Sequence, residues 1–98
     1  MGESDEGDAT DLDSRFEKAL DALDRGTLDL HLARSTGRYP EQIEHAQQAH
    51  ERFQTAVRLL ETASDSERES ESWRVWHGEA QHGVKTAASM LARFGRSV

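Results

Sequence analysis

Cysteine is absent from the 98-residue chain. That excludes disulfides, thiolate nucleophiles and sulfur-ligated zinc, and leaves the redox compartment undetermined. Long apolar runs are also missing, since no stretch exceeds two or three residues and about 20 are needed to span a bilayer. No basic stretch followed by an apolar one begins the sequence, so the expectation is a cytoplasmic protein without a membrane segment. A secreted protein already processed would have the same composition. Lysine is scarce, with Lys18 and Lys85 against ten arginines, a bias of genome composition or salt adaptation that carries no mechanism.

Apolar residues make up 35% of the chain, against about 45 to 50% in an average globular domain. A domain this short buries only about 60 to 65% of its unfolded surface, so little core is left over to build a deep active site. Self-association or a protein partner would relieve that shortage. No glycine-rich phosphate loop is present, because Gly37 and Gly95 are isolated, and no serine, histidine and acid arrangement stands out. These absences favour a noncatalytic protein.

The formal charge is −7, which disfavours direct contact with nucleic-acid phosphates. It is unevenly spread. Residues 1–30 carry ten acids and three bases, residues 31–72 eight and five, and residues 73–98 one and four. The basic end, Arg74, Lys85, Arg93 and Arg96, suits a helix C-terminus or the acidic first helix as well as an anion.

Residues 1–10, MGESDEGDAT, offer almost nothing to bury and predict a disordered acidic tail. A single helical domain is expected over 11–98, with helices at about 11–35, 40–63 and 71–94. In the first, Leu12, Phe16, Ala19, Leu23, Gly26, Leu30 and Ala33 alternate steps of four and three and form one stripe. Gly26 within it costs about 1 kcal/mol relative to Ala, which allows a bend or break at Asp24–Thr27. Leu28 and Leu32 lie off the stripe, one turn apart. Gly37 suits a left-handed helix end and Pro40 the first position of the next helix. That second helix carries Ile43, Ala46, His50, Phe53, Val57 and Leu60 on a three-four seam. Residues 64–72, SDSERESES, have no apolar member and read as a polar linker or frayed extension, open in principle to serine modification. Ser70 or Ser72 can cap a third helix bearing Trp73, Trp76, Ala80, Gly83, Ala87, Met90 and Phe94, with Val84 and Leu91 beside them and Gly95 at its end. The expected fold is therefore all-α: a three-helix antiparallel bundle, a hairpin plus a third helix, which dimerisation could complete.

Five histidines raise the question of metal. Glu79 and His82 have the Glu-x-x-His spacing that places a carboxylate and an imidazole on one helical face, as in ferritin-like di-iron proteins. One chain lacks the remaining ligands. A symmetric dimer could bring Glu41, Glu44 and His45 to the same ion, whereas the pairs His45–His50 and His77–His82, about 140° apart around a helix, cannot chelate one ion.

The run His82-Gly83-Val84-Lys85-Thr86-Ala87-Ala88-Ser89-Met90-Leu91-Ala92 resembles the phosphoacceptor helix of histidine phosphotransfer domains. The resemblance implies a phosphorylated His82, a supporting Lys85, and small residues that admit a receiver domain. A longer likeness joins Phe16-Glu17-Lys18-Ala19-Leu20, Leu23-Asp24-Arg25-Gly26-Thr27-Leu28-Asp29-Leu30 and Tyr39-Pro40-Glu41-Gln42-Ile43. Together they are similar to the helical hairpin of the exonuclease VII small subunit and imply an accessory, noncatalytic partner of a nuclease. From the residues themselves the expected function is interaction or assembly. Leu28, Leu32, Trp73 and Trp76 are the candidate interface, within a homo-oligomer or with another protein, and the tryptophans can anchor either the fold or the partner.

Overall fold

A computed structural model describes residues 15–95. The expected tail at 1–10, Leu12 and Arg96 lie outside the described residues. Within them the chain is all-helical: α1 (Glu17–Ser35), α2 (Tyr39–Leu60), the single turn α3 (Asp65–Arg68) and α4 (Glu71–Arg93). Glu17 and Arg34 sit at the ends of α1 that suit their charges, as Glu41 and Arg58 do in α2.

Alanine makes close packing possible. Ala19, Ala46, Ala49, Ala56, Ala80 and Ala87 have no exposed surface, and among larger side chains Leu60 and Leu91 are the most completely enclosed. Two alanines, Ala49 and Ala56, lie off the seam read from the sequence. They are buried because α2 packs against both α1 and α4 and so needs a wider buried face than a single stripe.

The direction of each helix follows from its contacts. Gly26 faces Phe53, Asp29 bonds Arg52, and the carbonyl of Thr36, just past α1, accepts from Gln42, so α1 and α2 run antiparallel. Leu60 meets Trp73, Phe53 meets Gly83, and Tyr39 meets Phe94 edge-on at 5.6 Å, so α2 and α4 are antiparallel too. Consequently α1 and α4 are parallel neighbours on either side of α2, and they touch each other far less than either touches α2.

Gly26 does not break α1, which is continuous from Glu17 to Ser35. The Phe53 ring fills the place of its missing side chain, with ring atoms 3.0 Å from where a Cβ would stand. Burial of that ring, worth about 1.5 to 3 kcal/mol, outweighs the local helix penalty of about 1 kcal/mol.

The turn after α1 also differs from expectation. Gly37 is not left-handed; among the described residues only Gly95 has positive φ, at 73°. Thr36 ends the helix in an extended conformation, its N–H donating to the Leu32 carbonyl at 3.0 Å. The turn is then tied by side chains: Thr36 Oγ1 donates to Glu41 at 3.1 Å, and Gln42 donates to the Thr36 carbonyl at 2.7 Å. Side-chain bonds do here what a left-handed glycine was expected to do.

Residues 64–72 contain α3 rather than a featureless linker. Ser64 accepts from the Glu67 N–H at 3.2 Å while Glu67 accepts from the Ser64 N–H at 2.9 Å, a reciprocal capping box. Arg68 turns back to donate to the carbonyls of Glu61 at 2.6 Å and Ala63 at 3.2 Å, just past the end of α2. Glu67 also pairs with Arg15, which joins α3 to the start of α1. Ser70 caps α4, accepting from the Trp73 N–H at 3.0 Å.

Candidate functional site

Because α1 and α4 stand apart above α2, they leave a groove of about 1000 Å³ whose floor is Phe53, Leu23, Leu30 and Gly83. Its walls have helical spacing. On α1 the lining residues Leu20, Asp24, Thr27, His31 and Arg34 recur every three or four positions, and on α4 Val75, Glu79, His82 and Thr86 do the same. The α1 wall therefore runs about 20 Å, from Leu20 to Arg34. The trough is apolar below and charged at its rims.

Electrostatically the rims are mixed. Asp24 and Arg34 stand on one side, Arg74 and Glu79 on the other. All four are exposed, and among the described residues none forms an ion pair. The two hydroxyls in the groove are engaged with their own helices: Thr27 donates to the Leu23 carbonyl at 2.8 Å and Thr86 to the His82 carbonyl at 2.9 Å. Neither is aimed at a base that would make it a nucleophile.

The four candidate interface residues fall in three places. Trp73 belongs to the fold: it is 7% exposed and its indole N–H donates to the Leu60 carbonyl at 2.7 Å. His77 stacks on it at 4.5 Å and lies 3.2 Å from Glu61, while the Arg68 guanidinium sits 5.4 Å from the ring centre. Trp76 is half-buried and lines the groove. Leu28 and Leu32 are 56% and 37% exposed, but neither lines the groove. With about 100° per residue they point to the flank of α1 away from it.

His82 and Lys85 are both exposed on α4, one turn apart. His82 lines the large groove, whereas Lys85 borders a separate depression of about 400 Å³ beside Val57 and Arg58 of α2. Of the small residues that follow His82, Gly83 and Ala87 are buried inside the chain, Gly83 beneath Phe53. Ala88 is half-buried, and Ser89 and Ala92 are exposed.

The proposed metal half-sites do not meet within one chain. Glu79 and His82 flank the level of Phe53, while Glu41 lies twelve residues before Phe53 on α2, about 18 Å away along the helix. Glu41 accepts from Thr36 and lies 3.6 Å from Arg38. Glu44 is exposed, and His45 faces α1. Among the described residues no three His, Asp or Glu side chains are grouped so as to hold an ion.

A polar cluster lies between α1 and α2. Asp29, 8% exposed, accepts from Arg52 Nε at 3.0 Å, and His45 Nδ1 lies 3.6 Å from its other oxygen. That Nδ1 is buried and makes no hydrogen bond. The cluster ties α1 to α2 on the side away from the groove, since none of its members lines it. Its only sequence signal is that Asp29 stands three residues from Gly26 and next to Leu30, at the edge of the stripe.

Among the described residues no helix is long and apolar enough to cross a membrane. Compared with known proteins, the chain matches no family model, no curated protein and no solved structure.

Proposed function

We propose that this protein is a small noncatalytic interaction module, an adaptor or accessory subunit, whose groove between α1 and α4 takes a helix from a protein partner or from a second copy of the chain. The observation that carries the reading is the groove itself: two parallel walls of helical spacing above an apolar floor. An added helix would turn three long helices into a closed bundle and supply the core that the composition lacks. Trp76 is the anchor on this reading, because it is the large aromatic side chain left half-buried at the groove. Leu28 and Leu32 form a second apolar contact on the outer flank of α1. Direct nucleic-acid binding is no part of the proposal, in keeping with the net charge of −7, and the working location is the cytoplasm.

The test is whether charged substitutions on the groove walls remove an assembly. Thr27→Glu and Val75→Glu change two exposed positions, so helix content should persist. The reading requires that the assembly be lost while circular dichroism is unchanged. An assembly that survives both substitutions would move the contact to Leu28 and Leu32.

A histidine-dependent role is the competing proposal, supported by the exposure of His82 on the groove wall. In it His82 accepts phosphate with Lys85 alongside, or joins Glu79, Glu41 and His45 at a metal shared between copies. The likeness to the exonuclease VII small subunit would make the partner a nuclease and leaves the contact mechanism unchanged.

A further inference from the structure

We draw no further inference here: the strongest candidate, the groove between α1 and α4 above Phe53, belongs to the site already described, and nothing in the structure shows whether a second copy or a foreign helix covers it.

Discussion

The ring of Phe53 occupies the volume that a side chain at Gly83 would need, and a Cβ built there would overlap the ring. Along its opposite edge the same ring stands 3.0 Å from the Cβ position of Gly26. One aromatic residue of the central helix is thus held between two glycines of the flanking helices, and this clamp sets how closely all three approach.

Gly83→Ala should destabilise the protein by up to about 2 kcal/mol net, because overpacking at the ring, about 1 to 3 kcal/mol, exceeds the helix-propensity gain of about 1 kcal/mol. Gly26→Ala, with 3.0 Å available, should cost distinctly less, since the propensity gain offsets most of the crowding. Combining Gly83→Ala with Phe53→Leu should relieve the clash, so the two changes should be strongly non-additive in a urea-denaturation cycle. Simple additivity would contradict the clamp.

Trp73→Ala should cost about 3 to 5 kcal/mol, as expected for emptying a buried aromatic site. Trp73→Phe should cost less, yet still more than about 1 kcal/mol, because the Leu60 carbonyl loses its indole donor in a buried setting. Equal stability of wild type and Trp73→Phe by thermal unfolding would show that this bond contributes nothing.

Arg52→Ala should be more damaging than Asp29→Ala. Removing the guanidinium strands a carboxylate whose side chain is 11% exposed, while removing the carboxylate leaves an arginine already 40% exposed and able to reach water. The expected costs are about 2 kcal/mol and about 1 kcal/mol, read from urea midpoints. The reverse order would mean that His45 takes over as the partner of Asp29.

His82→Gln should leave stability within about 0.5 kcal/mol, since the side chain is exposed. Intact-mass and metal analysis of the wild type and this variant decides the competing role. A phosphate or metal stoichiometry lost only in the variant would favour the histidine chemistry; identical composition would remove it.

Much of the fold was legible in the sequence because large apolar residues mark stripes. Phe16, Leu23, Leu30, Phe53, Leu60, Trp73 and Met90 are all buried where the three-four spacing placed them. Alanine marks no stripe by itself, so nothing in the sequence singles out Ala49 and Ala56, although both are fully enclosed. Gly26 and Gly83 were visible as small residues on seams, but their common partner Phe53 depends on three helices meeting, which no single-helix pattern contains. The Ser64-Asp65-Ser66-Glu67 capping box was readable locally and was obscured by the polarity of its surroundings. Trp73 and Trp76 look alike in sequence, three residues apart on one seam. Only the meeting of Trp73 with the end of α2 separates a core residue from a groove residue.

The most direct test of the groove as a contact surface is native mass spectrometry of the protein isolated gently from its host, alongside Val75→Glu with Thr27→Glu. The wild type should appear as a multiple of the 11.0 kDa chain or with a second protein, and the doubly substituted chain should appear alone with its helix content intact. A wild type found only as the free 11.0 kDa chain, or a complex indifferent to both substitutions, would contradict the account.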